Sequence, residues 1–476
     1  HTVPVRDGLP DLAAARVDTV QLQASADVPE GSVALVGGTV ITMHGGVVHA
    51  PGTVIVRGNR IAAVGDAESV ETPAGATVID CAGRTLMPGL IDAHGHIDGV
   101  YGNGVTPQKQ APRFAALAFG VTTNFDPYPS ELPTFESTET TQAGLTTGPR
   151  WIGTGSAIHG RPHNFFHLYT PLDSYADALR VVGDKKNLGA IAVKSYKWPA
   201  RRHRQMLVKA AREHGVNIVV EGETHFYNNV SMILDGHTNL EHNFPVATVY
   251  DDVVQLMALA GVSNTPTLVV AFGELFGENW AYQHSTPWKD PRVRTYIQAC
   301  LSGYSPLGTP YEAPPHSRAM TTIHVADELY DVGVLAVSRS VQKLDDAGVR
   351  INAGSHGEMP GLAMHWEMNL LAEGGMAPER VLRTATINSA ESLGVGDQIG
   401  SLEVGKLADL IVLAANPLED IRNSSSVIMT MVNGRLYDAE TLDQIAPNKQ
   451  PRSRFYWEVQ DTNGIDWSEA WGGGCG

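Results

Sequence analysis

His94 and His96 stand one residue apart at the end of the run Leu90-Ile91-Asp92-Ala93-His94-Gly95-His96, just after Pro88-Gly89. In an extended strand residues i and i+2 point to one face, so both imidazoles can reach a single metal ion. With 18 histidines in 476 residues such a pair arises easily by chance, and it gains weight only from ligand-type residues at the ends of other apolar runs. Lys194 closes the apolar run Ala190-Ile191-Ala192-Val193-Lys194, and Glu221 closes Ile218-Val219-Val220-Glu221, with Glu223 and His225 just beyond. His242 follows Asn239-Leu240-Glu241, and His356 follows Asn352-Ala353-Gly354-Ser355. Carboxylate and imidazole are ordinary partners of zinc and related divalent ions. Taken singly each residue has an ordinary reading: a hydrogen-bonded strand-end histidine, a surface lysine, or for Glu221 a carboxylate capping the next helix. It is the joint pattern that points to a metal site.

Such a pattern needs elements that bring distant residues together. Between about residues 86 and 395, apolar strands alternate with long amphipathic stretches, as in parallel β/α units. The strands read as 90–93, 121–124, 151–153, 191–194, 217–221, 239–241, 263–270 and 349–353, with helices over 202–214, before the Gly215 stop, and over 377–393. Eight such units predict a (β/α)8 TIM barrel, whose strand C-termini converge on one rim. Before it, short β-rich runs such as Val33 to Val36, Gly38 to Met43 and Gly52 to Val56 read as a small antiparallel sheet. The same texture returns after the barrel, in 400–403, 408–413, 427–432 and 435–437. The expected fold is therefore α/β, a barrel inserted in a small discontinuous β-sandwich. Its expected divisions are an arm or linker (1–31), a first sandwich half (32–85), the barrel (86–395), a second sandwich half (396–440) and a tail (441–476). The stretch from about 272 to 318, rich in Trp, Tyr, Pro and Gly, is too long for an ordinary connection and reads as a lid.

Composition narrows the partners. With 43% hydrophobic and 18% charged residues the chain is globular, and it has no run of about 18 uncharged apolar residues that would predict a membrane span. A formal net charge of -17 argues against nucleic acid or an anionic membrane surface, which need clustered Lys and Arg. Cys81, Cys300 and Cys475 are widely spaced and show no C-x-x-C pattern, so neither a thiolate zinc site nor a disulfide framework is implied. The sequence opens at His1, so trimming or processing is expected and the compartment stays undecided.

Several phrases resemble the amidohydrolase superfamily of metal-dependent hydrolases, in its Xaa-Pro dipeptidase and imidazolonepropionase-like branch. They are Val54 to Gly65, Met87 to His96, Gly120 to Thr123, Leu382 to Ala390, Ile399 to Leu413 and Asn416 to Leu418. Val193-Lys194-Ser195-Tyr196, Met232 to His237, Glu241-His242-Asn243, His356-Gly357 and His365-Trp366-Glu367 look closer still to bacterial proteins in which this half follows a TolB-like β-propeller. That implies a propeller domain or subunit as partner, joined through residues 1–31, and a homo-oligomer.

The resemblance implies a ligand set of His-x-His, a carboxylated lysine, two further histidines and an aspartate. His94, His96, Lys194 and His242 match it. Two positions depart: the fifth-strand histidine falls on Glu221, and the eighth-strand aspartate, which in the superfamily accepts the proton of the attacking water, falls on His356. The expected metal ligands are thus His94, His96, Lys194, Glu221, His242 and His356, holding one or two divalent ions, zinc by default. Glu221 reads best as ligand and His356 as base or second ligand, with Glu223 a further candidate base. Substrate contacts are expected from His159, Tyr196, His237 and His365, with His163 and His167 in the same loop as His159. Asp92, Glu241 and Glu367 are candidates for orienting the metal-bound imidazoles.

The leading expectation is hydrolysis of an amide bond in a small molecule, such as a dipeptide, an N-acyl amino acid or a cyclic amide. Alternatives are deamination, lactone opening or phosphotriester cleavage at the same site, or a non-catalytic sensor or scaffold that kept the barrel.

Overall fold

The computed structural model describes residues 23–97, 107, 109–160, 170, 172–196, 200–222, 225–270, 277–298, 333–455 and 458, and the short strand pair Val5–Arg6 and Leu9–Pro10. Its architecture is the expected (β/α)8 barrel inserted in a discontinuous β-sandwich. The barrel strands Leu90–Asp92, Val121–Asp126 and Arg150–Gly153 pair in parallel, and so do Ala192–Ser195, Asn217–Glu221, Asn239–Glu241 and Ser263–Thr265. Ile158 bridges Ser195 between the two sets. On the other side Ile351 bridges Asn264, and Ala93 N–H donates to Ala353 O at 3.0 Å. The ring closes through that segment.

Most residues of these strands are buried, as expected where helices cover the outside and side chains fill the inside. The helix Arg201–His214 ends at Gly215, whose φ of +66 suits glycine at a C-cap, as the sequence indicates. The helix expected over 377–393 is instead two, Pro378–Thr384 and Ile387–Ser392, broken where Thr386 leaves helical geometry. The seventh strand is shorter than expected. Pairing stops at Thr265, because Thr267 turns into the left-handed region and Leu268–Val270 form a 3-10 turn. The eighth strand is reduced to the bridged residue Ile351. Of the stretch read as a lid, only residues up to 298 are partly described; they form the helix Gly277–His284 and three shorter turns, and 299–318 lie outside the described residues.

The two flanking segments make one nine-stranded sheet. Its seam is the antiparallel pairing of Leu410–Leu413 with Thr85–Pro88. The sheet is mixed rather than purely antiparallel, since Ser32–Ile41 pairs in parallel with Thr77–Asp80 and Thr85–Pro88. Val33, Leu35, Val54, Val56, Leu86, Leu410, Val412, Met431 and Leu436 bury a common apolar face drawn from both halves. The hairpin between Val427–Val432 and Arg435–Asp438 turns on Asn433-Gly434, both at positive φ, the geometry that an Asn-Gly pair favours. The tail is better fixed than its composition suggests: Gln444–Ala446 adds an edge strand, and Phe455 is buried against Phe114.

Candidate metal centre

At the C-terminal end of the barrel four imidazole rings meet. The centroid of His94 lies 4.9 Å from His96, 4.7 Å from His242 and 5.3 Å from His356, and His96 lies 5.0 Å from His356. One nitrogen each of His94, His242 and His356 fall within 4.8 Å of one another. Backbone geometry delivers them there: His242 and His356 both sit at positive φ, +69 and +59, so the chain turns sharply as it leaves each strand. Gly354 is required beside them. A Cβ there would stand 2.7 Å from both His94 Cβ and Thr265 Cγ2, too close for any side chain.

Each ring has its outer nitrogen engaged. His94 Nδ1 is 2.6 Å from Glu241 Oε2, His96 Nδ1 2.8 Å from Asp126 Oδ1 and His242 Nδ1 2.6 Å from Thr267 Oγ1. His356 Nδ1 is 3.4 Å from Glu358 Oε1. An ionised carboxylate can only accept, so where Glu241, raised by burial to about 7, and Asp126 are ionised, the Nδ1–H of His94 and His96 donates outward and Nε2 of each neutral ring turns its lone pair to the cluster. Those two Nε2 atoms are 3.2 Å apart. A proton, which Asp126 favours on His96, or a divalent cation bound by both nitrogens accounts for that spacing, and the donor set of imidazoles and carboxylate fits such a cation. Burial holds His94 well below the usual histidine range and His356 down at about 3, leaving neutral rings with lone pairs to offer. His96 moves the other way: burial opposes its charge, but Asp126 outweighs it.

Glu221 and Lys194 complete the group. Glu221 Oε2 is 2.7 Å from Lys194 Nζ, and its Oε1 is 3.2 Å from His242 Nε2. Burial alone would raise this carboxyl, yet Lys194 and His242 hold it well below the usual carboxylate range, as an anion. Lys194 is fully buried, and although its Nζ is at ion-pair distance it is not aligned for a hydrogen bond. The structure thus brings together all six residues expected as ligands.

The expected substrate contacts divide. Ile158 pairing with Ser195 places His159 beside Tyr196, with ring centroids 4.9 Å apart, and Tyr128 joins them 5.0 Å from Tyr196. Burial, and then Glu221 and Tyr128, push the Tyr196 hydroxyl above its usual range, so it stays protonated. His237 and His365 are corrections. His237 precedes the sixth strand, at the barrel end opposite the centre, and its Nδ1 is tied to Met232 O at 2.8 Å. His365 spends both nitrogens elsewhere, on Ser424 Oγ at 3.0 Å and Phe119 O at 2.9 Å. His163, His167 and Glu223 lie outside the described residues, and His225 is an exposed residue at the start of the helix Phe226–Asp235.

Of the three acids considered for orienting imidazoles, Glu241 holds the His94 ring. Asp92 accepts instead from the backbone N–H groups of His94 and Ser355, at 3.1 and 3.0 Å, and from the Ser355 hydroxyl. Glu367 binds the backbone N–H of Val269 at 3.1 Å. No sequence pattern singles out Tyr128, Thr267 or Glu358. Asp126 is also missed but was findable: the strand expected to end at Asn124 runs two residues further and ends on this acid.

The profile of the amidohydrolase family matches residues 85–437. The chain is 25% identical over 439 residues to the 5-methylthioadenosine/S-adenosylhomocysteine deaminase of Syntrophobacter fumaroxidans, over 84% of this chain and 92% of that protein. Molinate hydrolase superposes with a TM-score of 0.65 at 18% identity, over 87% of this chain and 96% of that one. A Xaa-Pro dipeptidase with methionine bound in its active site superposes with a TM-score of 0.64 at 20% identity, over 86% and 100%. These two structures share the fold. With its barrel, its cluster of inward-facing imidazoles and a family match that spans both, the chain belongs to the amidohydrolase family, as a hydrolase acting on carbon–nitrogen bonds.

Proposed function

We propose that the chain hydrolyses an amide bond of a small molecule, such as a dipeptide, an N-acyl amino acid or a cyclic amide, at a divalent metal held by His94, His96, Lys194, Glu221 and His242, with His356 beside it as the base. The observation that carries this reading is the convergence of neutral imidazole nitrogens beside the anionic Glu221. Zinc is the expected ion, and such an ion supplies Lewis acidity, lowering the pKa of the attacking water and polarising the scissile carbonyl. Lys194 can serve as a ligand only as a carbamate, because an ammonium has no lone pair.

The remaining work falls to side chains. His356, kept neutral by burial, has a lone pair to take a proton from water, and Glu358 beside its Nδ1 steadies the imidazolium that results. That proton then goes to the nitrogen of the departing amine. Glu221 stays ionised and is better suited to ligation than to proton transfer. Tyr196, protonated and close to Glu221, can donate to the carbonyl oxygen, with His159 packed against its ring.

A panel of dipeptides, N-acyl amino acids and cyclic amides, assayed with protein of measured metal content, tests the reading. Metal-dependent release of an amine supports it, and a fully loaded protein inert on the whole panel sinks it. One second reading has an observation behind it: the deaminase of Syntrophobacter fumaroxidans is similar over most of both chains. Deamination also breaks a carbon–nitrogen bond, and ammonia release from amino-purine nucleosides with no amide turnover would favour it.

A further inference from the structure

We propose that Glu367 is a positioning residue for His242, acting through the turn at residues 267–270. The inference rests on reading His242 as a metal ligand. His242 leaves its strand at φ +69, and Thr267, whose Oγ1 holds the ring, sits at φ +47, a region that a β-branched residue occupies only when its surroundings enforce it. The 3-10 turn Leu268–Val270 follows directly, closed by Val270 N–H donating to Thr267 O at 3.0 Å. The first N–H groups of any such turn have no partner within it. Here one of them, Val269 N–H, is taken by Glu367 Oε2 from the helix Leu362–Glu373, 98 positions along the chain.

Glu367 is an odd tenant for that place. It is fully buried, and its Oε1 has no partner among the described residues. Burial pushes its carboxyl up to about 8, against the pull of the Leu268 and Val269 N–H groups, so it stands as a neutral acid at pH 7. An apolar side chain would fill the space without that desolvation penalty. What a carboxyl adds is an acceptor that fixes the turn, and with it Thr267 Oγ1 and the direction of the His242 ring.

The test is zinc alone, titrated into the metal-stripped full chain against a chromophoric chelator, with Tm recorded for each stripped variant. Glu367→Leu and Thr267→Val should each weaken zinc binding about tenfold to a hundredfold. Glu367→Gln, which keeps an acceptor oxygen, should stay within about threefold of the unsubstituted chain, well inside that range. Should Glu367→Leu lower Tm while zinc affinity holds, the role is structural only and the proposal falls. It falls equally if Glu367→Gln is as impaired as Glu367→Leu. If Glu367→Leu does not fold, Thr267→Val decides, and unchanged affinity there overturns the link. His242→Ala run in parallel separates the two failures: unchanged affinity in that variant refutes the ligand reading itself.

Discussion

Each ring at the barrel mouth is oriented by a partner on its far side, and the nature of that partner decides what its loss costs. In the proposed site His94 and His242 would supply ligand atoms directly, so His94→Ala and His242→Ala should lose bound metal and activity together, as read by elemental analysis beside amine release. Metal content unchanged in both variants would refute the assignment. Asp126 acts one step back, through His96 Nδ1. Asp126→Ala should weaken metal affinity about tenfold or more without abolishing it, and an unchanged affinity would remove Asp126 from the site. Much of this centre was legible in the sequence, because ligand-type residues at the ends of apolar strands must meet wherever parallel strands close into a barrel. His237 and His365 were misplaced for the complementary reason. Both are histidines near the right elements, but only the fold shows that one sits at the far end of a strand and the other is tied to two partners outside the mouth. Thr267 and Tyr128 carried no signal at all, since a threonine inside an expected strand and a lone tyrosine beyond one look like any other.

Between elements, the helix Leu362–Glu373 is fastened by His365 to Ser424 in the following β-region and to Phe119 O at the end of the helix Ala111–Ala118. Burial holds His365 down at about 4, whereas an unfolded histidine titrates near 6.5. Below pH 6.5 the unfolded chain takes up a proton that the native chain refuses. The stability this neutral ring contributes is therefore fully present above about pH 6.5 and is lost as pH falls toward 4, by roughly 3 kcal/mol over that interval. Urea unfolding at pH 7 and pH 4.5 should show a larger loss for the native sequence than for His365→Gln, which has no such proton to gain. Equal losses would mean the ring is already protonated or accessible. Strand boundaries were the least legible feature of these elements. The apolar run Leu268-Val269-Val270 extends a strand on paper, but the preceding Thr267 has already turned the backbone out of the ladder.

Across the molecule, charge pairs tie together regions distant in sequence, one between barrel and sheet and one between the sheet and the segment before it. Arg150, at the start of the third barrel strand, binds Asp409 at 2.6 Å, and Arg435 binds Asp27 at 2.6 Å. Asp409 is buried, so Asp409→Ala would strand the Arg150 guanidinium and should cost roughly 3 kcal/mol, seen as a lower Tm. A change within experimental scatter would show that the pair contributes nothing net. Zinc binding only to the folded form should raise Tm with concentration, by about 2.7 kcal/mol of stability at a hundred times Kd. A Tm indifferent to zinc and to chelator would count against the metal centre. That the two flanks share one sheet was legible in their common short-strand texture, while the parallel pairings of Ser32–Ile41 inside it were not, because alternation alone does not reveal which neighbour a strand will choose.

The clasp between Asp27 and Arg435 spans 408 positions of chain. At about 5 to 20 residues per second of synthesis, the opening strands of the sheet wait roughly 20 to 80 seconds on the ribosome for their closing partners. Until Leu410–Leu413 is made, the edge of Thr85–Pro88 that it will cover has no strand to pair with, so the growing chain carries an aggregation-prone edge while its catalytic half is taking shape.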